Sequence, residues 1–220
     1  MFERQSVLAA VLDSGGRNGS DGFRRLRLGE LTGWQLIQLS CFSTMLSNLS
    51  AAVSPVLGAH LPTRVGEVRT AGNRTLLKTR LDQFWIFTRD DDDLAPVLGS
   101  VVTPSLGSIS LLSHSRACIF IKGPAVRELL ALGVALDLHP TAFAIGQFAL
   151  TGLHHTPVLI HREGESHYNL FVMRTFALTV WDWISDAALR FGYECDRSYG
   201  SPTTLASVEA GPGTRGELSI

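Results

Sequence analysis

The sequence predicts an α+β fold made of two ferredoxin-like βαββ-type halves with antiparallel sheets. Three observations predict it. Short runs of alternating or β-branched apolar residues recur along the chain, separated by little more than turn residues. Two stretches, 42–56 and 175–191, instead place apolar residues at helical spacing. The resulting order, β α β β α β and then β α β β β α, describes the same pattern twice. Helices that follow strands would also suit a doubly wound parallel sheet, but short strands joined by hairpins favour antiparallel pairing.

Residues 1–25 form an N-terminal extension, and Asp13–Gly22 within it, rich in Gly, Ser, Asn and Asp, reads as mobile. The first half covers 26–115. Leu26-Arg27-Leu28 alternates like an edge strand, and Trp34–Leu39 is a strand entering the core. Phe42, Met45, Leu46, Leu49, Ala52, Val53 and Val56 mark a helix that Pro55, Gly58 and Pro62 close. Leu61–Thr70 connects it to two strands, Arg74–Arg80 and Phe84–Thr88. Asp90–Asp93 leads into a short helix, Leu94–Val101, whose amino end suits carboxylates. As a metal site this run is weak, because four adjacent aspartates in one turn cannot all point at one ion. Leu106–Leu112 is the last strand of this half.

The second half covers 116–197. Arg116–Ile121 is a strand, and Gly123-Pro124 starts a helix with Pro in its first turn. Val126, Leu129 and Leu130 form its buried stripe, and Gly133 caps it. Gln147–Leu153, Pro157–His161 and Tyr168–Met173 are strands. In the final helix, Phe176, Val180, Trp183/Ile184, Ala187 and Phe191 form the apolar stripe, and Asp182, Asp186 and Arg190 the polar side. Trp181 falls between the two faces and is a candidate interface aromatic. The tail, 198–220, carries Pro202, Gly211, Pro212, Gly213 and Gly216 and reads as irregular.

Composition narrows the function. The chain has 19 basic and 20 acidic side chains among 220 residues, so no basic excess points to nucleic acid. Charged residues make up 18%, below the usual ~25%. Their scarcity is concentrated: Leu31–Thr63, Leu94–Ser115 and Leu138–His161 contain no Lys, Arg, Asp or Glu. Each window is too polar or too broken by Pro and Gly to span a membrane. They read as core segments together with surface buried against another protein. The second and third windows, with Trp181 beside them, are the expected contact. The amino terminus lacks the pattern of a signal peptide. Cys41, Cys118 and Cys195 are widely spaced, which predicts reduced thiols in a cytoplasmic chain rather than a disulfide or zinc framework.

No catalytic set emerges. Gly211–Gly216 spells GxGxxG but lacks the strand before it and the helix after it. His154-His155, if on a strand, point to opposite faces. Ser113-His114-Ser115 is weak as a nucleophile and base pair, since adjacent side chains on a strand rarely meet. Asp137-Leu138-His139-Pro140 reads as a loop anchor, with a ligand-facing role as the alternative. The expectation is no catalytic, cofactor or metal residue on this chain, and work within a larger assembly.

The 118–130 run, Cys-Ile-Phe-Ile-Lys-Gly-Pro-Ala-Val-Arg-Glu-Leu-Leu, resembles the strand, Gly-Pro and helix passage of aminomethyltransferase-like, folate-binding-type domains. Ala135–Pro140 followed by Phe143 and Gly146, and Arg174-Thr175-Phe176-Ala177 leading to Trp181-Asp182-Trp183, resemble the gamma-subunit family of heterotetrameric sarcosine oxidase. The family more often has Ser where Thr175 stands. The resemblance is strong over 106–192, weaker over 34–88, and absent from the first 25 residues and the tail. Its motif residues here are Gly123, Pro124, Asp137, His139, Pro140, Arg174 and Phe176.

The resemblance implies an aminomethyltransferase-like fold and a non-catalytic subunit packing on the large alpha chain of an alpha, beta, gamma, delta assembly. Such an assembly oxidises sarcosine to glycine with release of hydrogen peroxide. It passes the one-carbon unit to tetrahydrofolate or frees it as formaldehyde. FAD, FMN, NAD, tetrahydrofolate and zinc are implied on the partner chains. A related N-methyl amino acid dehydrogenase, such as N-methylglutamate dehydrogenase, uses a similar subunit. A free-standing folate-dependent one-carbon transferase is the competing reading. It would need a carboxylate in a pocket, for which Asp137 is the candidate.

Overall fold

Strand alternation here gives each of two sheets two apolar faces, and the fold stacks them. A computed structural model describes residues 6–12 and 15–196. Eleven strands occur among these residues: β1 Leu26–Leu31, β2 Trp34–Ser40, β3 Val68–Ala71, β4 Arg74–Arg80, β5 Gln83–Arg89, β6 Ser108–Leu111, β7 Arg116–Lys122, β8 Phe148–Leu153, β9 Thr156–Gly164, β10 His167–Met173 and β11 Tyr193–Asp196. The helices are α1 Ala9–Leu12, α2 Leu46–Leu57, α3 Leu94–Val101, α4 Val126–Leu130 and α5 Ala177–Ala188. One sheet runs β11-β1-β7-β10-β9-β8, the other β3-β4-β5-β2-β6. All pairings are antiparallel except that of β1 with β11.

The two sheets share one plan. Taking β2, β4, β5 and β6 as the four strands of a βαββαβ unit, their spatial order is fourth, first, third, second. The unit β7, β9, β10 and β11 has the same order, with β1 inserted between its fourth and first strands. Leu26-Arg27-Leu28, expected as an edge strand of the half 26–115, instead begins β1, which pairs with β7 and β11 of the other sheet, Leu28 lying opposite Ile121 and Cys195. Leu26 and Leu28 bury their side chains among the helices on that sheet. Gly29 leaves its other face open for the Phe120 ring, which a Cβ there would meet at 2.5 Å.

Four layers follow. α1, α4 and α5 cover the outer face of the six-stranded sheet around Ile119, Ile121, Ile160 and Leu170. α2 and α3 cover the outer face of the five-stranded sheet around Ile37, Leu39, Phe84 and Ile86. The inner faces meet through Trp34, Leu36, Leu77 and Phe87 from one sheet and Cys118, Leu159 and Phe171 from the other. The Trp34 indole stands edge-on to Phe171 at 5.4 Å, and Phe87 lies 4.4 Å from Phe171. Such aromatic pairs add ~0.5–1.5 kcal/mol beyond the area they bury.

Part of the extension is packed on the six-stranded half. Leu8 and Leu12, one helical turn apart, are fully buried in the six-stranded half. Removing each from water is worth about 1.5–3 kcal/mol. Buried Glu30 accepts hydrogen bonds from the Ser6 hydroxyl and the Leu8 amide. Further on, Arg17 exchanges backbone hydrogen bonds with Tyr193 at 2.8 and 2.7 Å. The expected tail, 198–220, and Gly211–Gly216 within it lie outside the described residues.

Local differences have local causes. α2 runs through Pro55 and ends at Gly58, whose φ of 75° places it in the left-handed region and whose amide donates to the Ser54 carbonyl. β3 forms within the expected connector because it pairs with β4. α5 rotates relative to the expected stripe: Ala177, Val180, Trp181, Ile184 and Ala188 are buried, while Phe176 lies in a preceding 3-10 turn and is exposed. Trp181, 3% exposed, is a core residue and not an interface aromatic. Among the described residues, no helix is long and apolar enough to cross a membrane.

Candidate functional site

The motif residues resolve into structural anchors at three places. Gly123 ends β7 with φ of 125°, and a Cβ there would sit 2.1 Å from the Arg25 carbonyl. Its amide donates to Ser166 O and its carbonyl accepts from Val126 N, so it joins the strand to α4. Pro124 follows it beside Phe23 and Arg24 in a shallow surface depression. This passage lets two backbone segments touch, which is the use glycine has in such a position.

Asp137 and His139 build the loop between α4 and β8. Asp137 Oδ1 accepts the His139 amide at 2.8 Å, an Asx turn, and both residues are exposed. His139 Nδ1 lies 2.7 Å from Thr141 Oγ1, and the His139 carbonyl accepts from Ala142 and Phe143 amides. Pro140 sits in this turn. The loop delivers Phe143 to the core, stacked on Tyr168, and Arg162 donates to the Phe143 carbonyl at 2.6 Å. Arg174 and Phe176 lie in the 3-10 turn leading into α5, next to the turn Ser113–Ser115.

The candidate chemistry near these anchors is likewise used for structure. Ser113 Oγ accepts the Leu36 amide, and Ser115 Oγ donates to the Leu112 carbonyl. His154 and His155 occupy the β8–β9 turn rather than a strand, and their rings lie 4.0 Å apart. His154 has φ of 52° and stacks on Trp183. Asp92, from the acidic run, binds the Arg74 guanidinium through both carboxylate oxygens at 2.8 and 3.0 Å and accepts from Thr88 at 2.6 Å. The Arg74 hydrogen bonds hold its carboxyl below the usual range. No group of three or more His, Cys, Asp or Glu arranged for a metal occurs among the described residues.

One constellation was missed by sequence reading. On the inner face of the six-stranded sheet, the apolar residues Cys118, Leu159 and Phe171 give way along their strands to polar ones. Lys122, His161, Glu163, His167 and Asn169 lie there on β7, β9 and β10. Asn169 donates to Glu163 Oε2 at 2.7 Å, and His167 Nδ1 lies 3.2 Å from that oxygen. Burial pushes the His161 imidazole down to about 4 and, with nearby Lys122, the His167 imidazole down to about 3. Burial raises the Glu163 carboxyl. Neutral imidazoles are therefore the working state here.

Both ring nitrogens of His161, Thr75 Oγ1 across the sheet interface and Asn169 Oδ1 lack partners in hydrogen-bond geometry. His161 lies beside the Gly146 backbone. Gly146 also lines an open cleft of about 560 Å³ between Arg64–Val68 and Ile145–Gln147. The strongest acid of that cleft, Glu67, is occupied by the Thr63 and Arg64 amides and by Arg69. These contacts pull its carboxyl down to about 2. Asp137, the carboxylate expected to hold a pterin, lies on the exposed α4–β8 loop, and Glu67 in the cleft has its oxygens committed. The polar residues are two apart on adjacent strands, and only the strand pairing, not the sequence pattern, shows that they converge.

The chain matches the family described as sarcosine oxidase, gamma subunit, over residues 43–190. Sarcosine oxidase subunit gamma from an Arthrobacter species is 32% identical over 142 residues, covering 64% of this chain and 70% of that protein. A chain of the heterotetrameric sarcosine oxidase from Corynebacterium sp. U-96, solved with pyrrole 2-carboxylate, superposes with a TM-score of 0.75 at 26% identity. That superposition covers 86% of this chain and 96% of the other. Aminomethyltransferase T of the Bartonella henselae glycine cleavage system, at 16% identity and a TM-score of 0.55, covers 78% of this chain and 48% of its own, and shows the shared fold alone. The match over residues 43–190, with the Arthrobacter relative beside it, shows that this chain belongs to the sarcosine oxidase gamma subunit family.

Proposed function

We propose that this chain is the gamma subunit of a heterotetrameric sarcosine oxidase and works in assembly rather than in chemistry. The observation that carries the reading is the agreement of fold with the Corynebacterium heterotetramer chain over 86% of this chain. The complex would convert sarcosine, oxygen and water to glycine, formaldehyde and hydrogen peroxide, or pass the one-carbon unit to tetrahydrofolate. FAD, FMN, NAD, folate and zinc belong to the alpha, beta and delta partners, with this chain packed chiefly on alpha in the cytoplasm. The engagement of Asp137, Ser113, Ser115 and Asp92 in backbone and ion-pair contacts supports a structural role.

Co-expression with the three partner chains, with and without this one, tests the reading. Sarcosine-dependent peroxide formation and the yield of intact complex are expected to fall when it is omitted. Equal yield and turnover without it would overturn the proposal. A stoichiometric flavin or folate chromophore on the isolated chain would do so as well.

A further inference from the structure

The inner faces of the two sheets meet in two different ways. At one end the seam is aromatic: Trp34 and Phe87 pack on Phe171, and Cys118 is fully buried in the same cluster. At the other end it is polar. Thr75 on β4 meets His161 on β9 across the seam, and Asn169 on β10 stands in register beside His161. The three are 2%, 3% and 0% exposed. Thr75 Oγ1, both ring nitrogens of His161 and Asn169 Oδ1 have no partner in hydrogen-bond geometry. The gap that Thr75 and His161 line with four apolar side chains has no room for a water molecule. Polar groups taken from water without replacement partners raise the free energy of the closed seam. Among the described residues no strand pairing joins one sheet to the other, so side-chain packing holds this end shut.

The charges around His161 do not answer a proton on its ring. On its own strand, Glu163 is engaged by Asn169 and lies 3.2 Å from His167. Arg162 reaches the Phe143 carbonyl on the other face of the sheet. On β7, Lys122 brings a like charge near His167. On β4, Arg74 is held by Asp92, and on β5, Arg89 is held by Asp91. In the cleft, Glu67 is committed to Thr63, Arg64 and Arg69. His161 pairs in register with Phe148 on β8 and lies beside the Gly146 backbone. A buried imidazolium here finds a backbone dipole and no free carboxylate, which makes it costly until water reaches it.

We infer that the two-sheet sandwich is hinged: it parts at the Thr75–His161 end while the Trp34–Phe171 end stays closed, and protonation of His161 drives the parting. Opening lets water pair the orphaned hydroxyl, imidazole and amide. It also joins the seam to the cleft of about 560 Å³ beside Gly146. Water receives the imidazolium as well, so the open form binds a proton more readily than the closed one. The open form therefore gains weight as pH falls below the ordinary histidine value of about 6.5. This is a sub-global opening, distinct from unfolding of the whole chain. It is a property of this chain and does not depend on the subunit reading.

Thiol labelling of the full chain is the test. Thr75→Cys places a thiol at the polar end, and Cys118 already reports the aromatic end. Both are labelled with dithiodipyridine, which reacts in mild acid, and are resolved by peptide mass spectrometry. Each rate is divided by that of the same site in the urea-unfolded chain, which gives its protection. At about pH 7.5 the Thr75→Cys thiol is expected to be at least about thirtyfold less protected than Cys118. Between about pH 7.5 and 5.5 its normalised rate should rise about tenfold while that of Cys118 stays level. His161→Leu in the same background should hold that rise to within about twofold. Equal protection of the two thiols, or a rise that both share, would mean that the sandwich opens only by unfolding and would overturn the inference. An acid rise unchanged by His161→Leu would overturn it too. If Thr75→Cys does not fold, exchange of the His161 Cε1 hydrogen into heavy water, referenced to exposed His114, replaces it in the wild-type chain. His161 less protected than Cys118 supports the hinge, and His161 protected as fully as Cys118 overturns it.

Discussion

The two helix layers bury equivalent stripes and differ on their outer faces. α5 sinks Val180, Trp181 and Ile184 into the six-stranded half, and α2 sinks Leu49, Val53 and Leu57 into the five-stranded half. Inward demands are the same, because each sheet needs an apolar cover. Outward, α5 shows carboxylates and α2 shows none. The inner stripes therefore report the fold, and the outer faces differ in charge: α5 carries Asp182 and Asp186, and α2 carries none.

The largest expected effect tests whether Trp181 belongs to the inner stripe. Trp181→Ala should cost the isolated chain about 3–5 kcal/mol, measured by denaturant unfolding. If stability is unchanged and assembly is lost instead, the layer assignments exchange roles.

A comparable effect separates the halves by pH. His161 and His167 sit in the six-stranded sheet, whereas His60 and His114, on the other half, are exposed. Unfolding frees each buried imidazole to bind a proton below about pH 6.5. The unfolded state thus binds more protons, so stability falls as pH drops through that value and levels off below the folded-state values near 4 and 3. For His161 the full loss is on the order of 3 kcal/mol. Urea midpoints at about pH 7 and 4.5 should diverge less in His161→Leu than in wild type. Equal divergence would break the assignment.

Smaller effects sharpen the contrast. Asp92→Ala removes the clamp on Arg74 and Thr88 where β4 and β5 meet the start of α3. It is expected to cost about 1–3 kcal/mol, because partly buried donors lose their acceptor. The same contact is present above the ordinary aspartate range and is lost as pH falls through the lowered value. Wild-type unfolding of Asp92→Ala would show that the clamp does not hold the five-stranded half. Asp186→Ala on the water-facing side of α5 should stay within about 0.5 kcal/mol of wild type and leave assembly intact.

Much of the fold was legible because local rules decide it. Leu94–Val101 and Arg74–Arg80 occur where periodicity places them, and the hairpins follow their turn residues. What could not be read depends on distant partners. β3 and β11 exist through the strands beside them, and Leu26–Leu31 reads the same in either sheet. The α5 stripe is turned because Ala177, small and weakly hydrophobic, holds the inward position expected of Phe176, which is exposed, while Phe191 is buried as expected. Among the site residues, the loop role of Asp137 followed from its Asx chemistry. The His161 and Asn169 cluster did not, since its members converge only through strand register.

The insertion of β1 governs the order in which the chain can complete itself during synthesis. The five-stranded sheet can close once Ser115 has left the ribosome. Leu26–Leu31 must wait for Arg116–Lys122 and then Tyr193–Asp196, its neighbours on either side. Until then a strand with one strongly apolar face is unsatisfied in the nascent polypeptide, the kind of edge that invites misassembly. A break in the chain near residue 115 would leave the N-terminal fragment holding the strand that fills the six-stranded sheet between β7 and β11.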